Sequence, residues 1–488
     1  MAEASGKTPS DVDLSSTASV VDLVEPLTNL SLDPSKKPSR NKKAPRSKAG
    51  KQNYSFNPDD WKVDEEDVMI PAAAIAGKSI LSLPKTTDNH QRRTETSTIA
   101  TIGEDKAKIL STKVLTYYST DSQFKRHLES AESLTFYAPP RFLQHRNGTF
   151  KYNLFKGWQG YRPIVYPRKL PRLGGTLAVV GWYLDSIRNN LGNDGDIPTI
   201  DFISHKGPMV KLASLASPDC RHGVSLEMNV VTYGKHILLS NNSYRDIEGP
   251  MSLKFGYLGH KFENVVCSKD WPENGKMPRK EYPMHNNETF KLVMNIELGK
   301  KNDDVSTRGT SPIISLAFPS EMDCRLQPDV PIETLSNYAE LKTHSSGGSE
   351  HSFKRKLFKA YLQANIVGMG EVIIGFRSFS GFLENIVRYK VSDIPDILHK
   401  DPKSGEISER LKRQFSPEDS MDWLHSCLEW IKNNIEFGRE REVAWRVSYD
   451  PKSSTIVMVK IEDPEIVEKI TGYVYDDICV RSLDHQTQ

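Results

Sequence analysis

The chain has 488 residues, of which 37% are hydrophobic, and its 65 basic and 63 acidic residues leave a formal net charge of +2. This balance excludes a strong overall field as the feature that selects a binding partner. The five cysteines form no CxxC pair, which argues against a disulfide scaffold or a zinc site and favours a reducing compartment. No signal-peptide pattern and no membrane-length apolar run is present, so we predict a soluble nuclear or cytoplasmic protein that is not secreted and binds no membrane.

Residues 1–105 are rich in Ser, Thr, Pro, Lys and Asp. They carry too little apolar surface to offset the entropy of ordering, so we predict a disordered, partly basic N-terminal arm. Its segment 36–51 contains basic residues and no acid, which fits a nuclear-import signal, an RNA-attracting arm or a solvated linker. A short apolar segment, residues 68–84, is predicted to dock on the folded part.

Residues 106–488 are predicted to form one α/β domain with mixed β-sheets flanked by helices. Apolar spacing predicts a helix over 175–192 and two strands joined by a Tyr-Gly turn within 224–242. Further strands are predicted in "SPIISLAFPSEMDC" and "NYAELKTH", and a helix in "HSFKRKLFKAYLQANIVG". "EVIIGFR" and "FLENIVRYKV" predict a pair of strands, and Ser416 followed by Pro417 predicts the start of a helix.

Four acidic residues are predicted to follow or end strands: Glu263 in "GHKFEN", Glu321 and Asp323 in "SEMDC", and Glu340 in "AELKT". Residues i and i+2 of a strand share a face, so Glu321 pairs with Asp323 and Glu340 with Lys342. If the two strands are neighbours, three carboxylates and an ammonium converge. Such a group favours Mg²⁺ or Mn²⁺, which would activate water and neutralise a phosphate oxygen, with Lys342 holding the water or the phosphate.

Each of these features has a structural alternative. An isolated E-x-K pattern is most often an exposed ion pair on a strand. The basic residues Lys354, Arg355, Lys356 and Lys359 fit either a solvated helix face or a contact with a nucleic-acid backbone. Gln363 fits either a hydrogen-bonded buried amide or a ligand to water or phosphate. The sequence shows no G-x-S-x-G elbow, phosphate-binding glycine loop or paired metal-binding histidines.

In this order, the motifs resemble the DXO/Rai family of decapping and five-prime-end exoribonucleases. "LTFYAPPR" and "KYNLFKGWQGYRP" are similar to its N-terminal segments. "GHKFEN", "SEMDC" and "AELKT" are similar to its G-Y-K-F-E, E-h-D and E-L-K-T motifs, where h is apolar. "KAYLQANIVGMGEVIIGFRSFSG" resembles its segment of an apolar helix, a Gln and G-F-R. The resemblance covers most of the predicted domain.

The resemblance implies a D-(D/E)-x-K nuclease site with a divalent cofactor, Mg²⁺ or Mn²⁺, bound as two ions. The residues it assigns to the metal are Glu263, Asp323, Glu340 and the Leu341 carbonyl, with Glu321 binding a second cation or activating water. It places Lys342 and Gln363 against the scissile phosphate, and it gives Glu263 a substrate-binding role as well as a role in metal binding.

The resemblance also implies the activity. Family members remove incomplete guanosine caps, NAD caps or pyrophosphate from RNA five-prime ends, and many digest RNA from that end. The expected substrates are RNAs with capped, NAD-capped, triphosphate or monophosphate ends. A second hypothesis is a weakly catalytic partner that stabilises a larger 5′–3′ exoribonuclease. A third is a nuclease acting on DNA, because carboxylates do not read the sugar.

Two positions depart from the family pattern. Lys206 stands where the family has an arginine, which keeps the charge but loses the bidentate fork for phosphate. We therefore expect Lys206 to bind the five-prime group of the substrate, and to influence which type of RNA end the protein prefers. His260 replaces the usual tyrosine of G-Y-K-F-E, which we interpret as a packing change.

Overall fold

The computed structural model describes residues 75–83, 106–123, 125–140, 152–158, 179–181, 183–184, 199–221, 224–241, 250–271, 288–300, 312–439 and 441–478. Residues 63–399 and 407–488 form one compact unit, to which the elements below belong. The other unit, residues 1–62 and 400–406, is described only at 400–406. There the Gly405 N–H donates to the Asp401 carbonyl (2.8 Å).

The described strands are, in chain order, β1 (Ile75–Ser82), β2 (Lys108–Thr120), β3 (Arg126–Leu128), β4 (Phe136–Tyr137), β5 (Tyr152–Asn153), β6 (Phe202–Ile203), β7 (Glu227–Tyr233), β8 (His236–Asn241), β9 (Cys267–Ser268), β10 (Thr289–Gly299), β11 (Ile314–Glu321), β12 (Cys324–Arg325), β13 (Tyr338–Ser345), β14 (Glu371–Arg377), β15 (Phe382–Lys390), β16 (Ala444–Asp450) and β17 (Thr455–Ile461).

The described α-helices are α1 (Lys206–Ser214), α2 (Pro218–Arg221), α3 (Pro250–Val266), α4 (Glu350–Val367), α5 (Ile394–His399), α6 (Glu409–Gln414), α7 (Pro417–Asn433) and α8 (Pro464–Ile478). Short 3₁₀ turns at Leu335–Asn337 and Val391–Asp393 precede β13 and α5.

The described strands form two mixed sheets. The larger has the order β1-β17-β16-β7-β8-β6-β11-β10-β2-β3, and the smaller β5-β15-β14-β13-β12-β4-β9. In the larger sheet β6 runs parallel to both β8 and β11. In the smaller sheet β13 runs parallel to β14, with Glu340 opposite Val372. The chain passes from one sheet to the other between β11 and β12, which places that crossing at the sequence "SEMDC".

One buried cluster joins the facing sides of the two sheets with α1, α4 and α7. Alternation along the strands sorts the side chains: Leu316 and Phe318 of β11 enter this cluster, whereas Ala317 points to a second cluster that includes α8 residues. A third cluster packs α3 against the other face of the smaller sheet. That packing is close, because a Cβ on Gly375 of β14 would lie 2.5 Å from the Phe262 ring of α3.

Local sequence signals explain the ends of two helices that support the site. Ser349 caps α4 by accepting a hydrogen bond from the Ser352 N–H, and Gly368 ends it in the left-handed conformation (φ 85°). Ser416 caps α7 in the same way through the Asp419 N–H, with Pro417 in the first turn. The predicted strands and both of these helices are confirmed.

Other expectations need correction or lie outside the described residues. The prediction of a disordered arm over 1–105 is wrong at residues 75–83, because Ile75–Ser82 pairs with β17 at the edge of the larger sheet. For residues 75–82, this pairing confirms the prediction that the apolar segment 68–84 docks on the folded part. The basic segment 36–51 and most of the helix predicted over 175–192 lie outside the described residues. Within the described part of the chain, no helix combines the length and apolarity needed to cross a bilayer.

Candidate functional site

The acidic residues of "SEMDC" lie where the chain leaves the larger sheet. Glu321 is the last residue of β11 and is exposed, and β12 begins in the smaller sheet at Cys324. The condition that the two strands be neighbours is not met, because β11 and β13 belong to different sheets. The short strand β12, which pairs with β13, brings the two sequences together instead.

Asp323 extends the pairing of β12 with β13 by means of its side chain. Cys324 lies opposite Ala339. Beyond this pair, the Leu341 N–H donates to Oδ2 of Asp323, the residue that precedes β12 (2.7 Å). This N–H faces the edge of β13 beyond the end of β12, so the carboxylate satisfies a donor that the sheet leaves open. Asp323 and Glu340 thus approach each other at the junction of the two sheets.

Glu340 is the most deeply buried carboxylate of the site, with 4% of its side chain exposed. Lys342 Nζ donates to its Oε1, and Lys206 Nζ lies 3.4 Å from its Oε2. Lys206 is the first residue of α1 and also contacts the Glu321 carbonyl (3.4 Å). Two ammonium groups therefore neutralise one buried carboxylate.

Burial and these neighbours set the acidities of the group. Burial raises the pKa of Glu340, but the ammonium groups of Lys206 and Lys342 outweigh it and bring the pKa to about 2. The pKa of Asp323 is raised well above its usual value, first by burial and then by the charge of Glu340. Burial lowers the pKa of Lys342, but Glu340 and Asp323 raise it overall. The two carboxylates thus repel each other despite the nearby lysines.

Glu263 lies on α3 and not at the end of a strand, which corrects the sequence prediction. Its side chain is 38% exposed, and Glu263 Oε2 lies 3.4 Å from His260 Nδ1, one helical turn earlier. The carboxylate raises the pKa of His260, to which Glu321 also contributes. His260 is therefore a partner of a site residue, and the sequence analysis did not predict this role. The helical spacing of the buried Leu258, Phe262 and Val265 could have revealed that His260 and Glu263 lie on one helix.

The basic part of α4 divides between two roles. Lys354 is buried and donates to the Leu398 carbonyl (2.9 Å), so it is a structural residue. Lys356 reaches the open edge of β13 and donates to the Thr343 carbonyl. Gln363 is half-buried two turns after Lys356, on the same face of α4. The structure therefore brings Lys206, Asp323, Glu340, Leu341 and Lys342 into contact, with Lys356 near them.

The donor set suits a hard divalent cation, because two close carboxylates whose mutual repulsion persists would be relieved by added positive charge. As the side chains stand, no group of three acidic, histidine or cysteine residues in the described ranges is close enough to hold a metal ion. Glu263 and Glu321 lie at the more exposed rim, and Lys206 and Lys342 occupy the oxygens of Glu340. Metal binding would require these side chains to rearrange.

Comparisons with known proteins identify the family to which the chain belongs. Residues 111–474 match the family described as "RAI1 like PD-(D/E)XK nuclease". The decapping nuclease RAI1 of Debaryomyces hansenii is 25% identical over 358 residues, which cover 69% of this chain and 84% of that protein. The RAI1 of Scheffersomyces stipitis is also 25% identical, over 54% of this chain and 69% of that protein.

Solved structures share the fold. The crystal structure of Candida albicans Rai1 in complex with pU5–Mn²⁺ has a TM-score of 0.60 at 18% identity, over 78% of this chain and 97% of that one. The structure of S. stipitis Rai1 with (3′-NADP)⁺ and a calcium ion has a TM-score of 0.58 at 20% identity, over 78% and 95%.

Proposed function

The chain belongs to the RAI1-like PD-(D/E)XK nuclease family, and on this premise we propose that it is a metal-dependent hydrolase of RNA five-prime ends. It acts as a decapping enzyme on incompletely capped or NAD-capped RNA and as a 5′–3′ exoribonuclease. The relatives it matches are named decapping nucleases, which favours catalysis over the alternative of a non-catalytic partner protein.

One observation carries the proposal: Asp323 and Glu340 meet at the junction of the sheets, with Lys342 bonded to Glu340. Two carboxylates and a lysine, one from the residue before β12 and two from the adjoining β13, are the minimum of a D-(D/E)-x-K site. The buried backbone of β13 holds Glu340, Leu341 and Lys342 in fixed register with β14. The reacting groups therefore need little reorganisation in the backbone.

We assign the site residues as follows. Asp323, Glu340 and the Leu341 carbonyl, joined by Glu263 from α3, hold the divalent cation. Glu321 binds a second cation or takes the proton of the attacking water. Lys342 and Gln363 face the scissile phosphate. When bound, Mg²⁺ or Mn²⁺ supplies the positive charge that activates water and stabilises the developing oxyanion.

The RNA beyond the scissile phosphate would pass along the open edge of β13, where Lys356 lies. Lys356 is half-buried and lies near two other cations, Lys342 and Arg377. Partial burial and these two charges lower the pKa of Lys356 to about 8. A phosphate group placed beside these cations would relieve their mutual repulsion. The complexes of the yeast relatives with pU5 and with (3′-NADP)⁺ support RNA and NAD-capped ends as ligands.

A direct assay tests the proposal. RNAs with monophosphate, triphosphate, unmethylated-cap or NAD five-prime ends are incubated with the purified protein and Mg²⁺ or Mn²⁺. We expect release of mononucleotides or cap products from at least one end, and a loss of at least about 10³-fold in Glu321→Ala plus Asp323→Ala. A DNA oligonucleotide with the same ends distinguishes an RNA enzyme from a DNA-directed nuclease.

The matched control is Asp329→Ala, which removes an exposed acid of the loop after β12. This variant should keep full activity. Wild-type protein that releases nothing from any end, or a double variant as active as the wild type, would contradict the catalytic proposal. In that case copurification with a larger exoribonuclease, and stabilisation of that enzyme, would support the partner role. Residence in the nucleus or the cytoplasm remains a prediction, which fluorescence of the tagged full chain would test.

A further inference from the structure

Glu340 is held by two lysines whose contacts differ in quality. Lys342 donates closely to Oε1 from the same strand, two residues away. Lys206 Nζ lies 3.4 Å from Oε2 and 3.4 Å from the Glu321 carbonyl. Charge-assisted hydrogen bonds are typically about 2.7–2.9 Å long, so both contacts of Lys206 are loose. Of the two ammonium groups, that of Lys206 is the more easily displaced.

The backbone around Lys206 is fixed, so only its side chain can move. β6 runs parallel to β8 and β11, and the Ser204 N–H donates to the Ala317 carbonyl of β11 (3.0 Å). α1 then packs against α4 and α7. The side chain reaches from α1 to Glu340 in the smaller sheet, and 14% of it remains exposed.

This position is also where the sequence departs from the family pattern. A planar guanidinium spreads its charge over a rigid fork, whereas an ammonium is a compact point charge on a flexible stem. A lysine is thus suited to occupy the place of a small cation beside one carboxylate oxygen. The atoms that Lys206 contacts, a carboxylate oxygen and a main-chain carbonyl oxygen, are the ligand types that Mg²⁺ and Mn²⁺ take.

We propose that Lys206 is a displaceable counter-ion of Glu340, which a divalent cation must move aside in order to bind. In the metal-free protein, the lysine neutralises the buried carboxylate and keeps the acidic residues together. Once displaced, its ammonium is free to contact a phosphate of the substrate. Lys206 is therefore a positioning residue that lowers the affinity of the site for a divalent cation. This inference rests on the proposed function.

Metal affinity tests this inference without any measurement of activity. The dissociation constant for Mn²⁺ is measured by titration calorimetry and by the electron paramagnetic resonance signal of free Mn²⁺. Lys206→Met removes the competing charge, so we expect it to bind Mn²⁺ at least about tenfold more tightly than the wild type. Lys206→Gln, which keeps a donor for the Glu321 carbonyl, should change affinity in the same direction and serves if the Met variant does not fold.

Two controls separate competition from other effects. Lys211→Met removes the same charge from the same helix, in its last turn, and should leave the Mn²⁺ affinity unchanged. Lys206→Arg keeps the charge, so its affinity should stay nearer to that of the wild type than to that of Lys206→Met. A second readout is thermal stability: Lys206→Met should melt lower than the wild type without metal and recover with saturating Mn²⁺.

The outcomes are distinct. Tighter binding in Lys206→Met and Lys206→Gln, but not in Lys211→Met, supports the counter-ion role. Equal or weaker binding in both variants while the wild type binds Mn²⁺ overturns it and leaves the proposed function intact. If no variant and no wild-type protein binds Mn²⁺, the metal-dependent function fails and this inference fails with it.

Discussion

Glu340, Lys342 and His344 alternate along β13, yet they have different environments. Glu340 and Lys342 neutralise each other, whereas His344 is 6% exposed and lies between the rings of Phe353 and Phe376. Its Nε2 has no hydrogen-bond partner among the described residues. Burial, followed by the charges of Lys356 and Arg377, lowers the pKa of His344 to about 4. His344 is thus a neutral packing residue beside a charged site.

This environment predicts a pH-dependent stability. The unfolded chain binds a proton at His344 near its ordinary pKa of 6.5, but the folded protein binds it only near pH 4. Stability due to this group is therefore present above about pH 6.5 and decreases as the pH falls toward 4, by up to about 3 kcal/mol. We expect His344→Leu to flatten the slope of unfolding free energy, measured by urea denaturation, in this range.

The slope and not the absolute stability is the readout, because leucine also loses the ring contacts. The exposed His351 at the start of α4 provides a matched control, and His351→Leu should retain the wild-type slope. An unchanged slope in His344→Leu would show that this histidine titrates normally in the folded protein.

At the scale of elements, the site exists because β12 is short. β12 pairs with only Tyr338 and Ala339, which leaves the edge of β13 open from Glu340 onward. Side chains fill that edge: Asp323 accepts from the Leu341 N–H, and Lys356 of α4 donates to the Thr343 carbonyl. The open edge of β13, along which α4 lies, therefore carries both a carboxylate, Asp323, and a cation, Lys356, that could contact the phosphates of an RNA backbone.

Lys356 yields a prediction for RNA binding. If its ammonium contacts one phosphate, Lys356→Gln should weaken binding of single-stranded RNA and reduce the slope of log affinity against log salt by about 0.7. Because the pKa of Lys356 is about 8, wild-type affinity should fall between pH 7 and pH 9, and the variant should lose this dependence. Fluorescence anisotropy with a labelled RNA, without metal, measures both.

Lys359→Gln is the appropriate comparison, because it removes the same charge one turn later, where the lysine lies near Cys220 of α2. It should alter the salt slope less than Lys356→Gln does. Equal effects of the two variants would mean that the helix acts only through its total charge.

At the scale of the whole molecule, two sheets share one core and the acidic residues converge where they meet. Glu321 ends β11, Asp323 directly precedes β12, and Glu340 lies within β13. α3 carries Glu263 and packs against the outer face of the smaller sheet. A cation bound here would connect elements of both sheets. Its binding energy would therefore add to the stability of the whole unit.

Mn²⁺ at about 100 times its dissociation constant should stabilise the folded protein by about 2.7 kcal/mol, which raises the melting temperature by about 3 °C for a unit of this size. Differential scanning fluorimetry of EDTA-treated protein measures the shift. Asp323→Asn keeps the carbonyl acceptor for the Leu341 N–H but loses the charge, so the shift should largely disappear. Asp329→Asn should behave as the wild type, and a wild-type protein that Mn²⁺ does not stabilise would contradict the assigned ligands.

The sequence by itself determined those features that depend on neighbouring residues. Alternation and apolar spacing sufficed for β7, β8, β11, β13, β14 and β15, and capping residues for the starts of α4 and α7, because these signals act within a few residues. The motifs in "SEMDC" and "AELKT" likewise identified the acidic residues and Lys342. Helix α3 was missed at Glu263, although the spacing of its buried apolar residues was visible in the sequence.

Only the tertiary structure decided how these pieces meet. Local patterns do not encode which strands share a sheet, so the placement of β11 and β13 in different sheets, joined through β12, could not be read from them. The partners of Lys206 and Lys356 are likewise distant in the sequence, at Glu340 and Thr343. A long side chain can donate to any acceptor within its reach, so its partner depends on how the elements pack. The sequence therefore identified the charged groups, and the packing of the two sheets determined which of them neutralise each other.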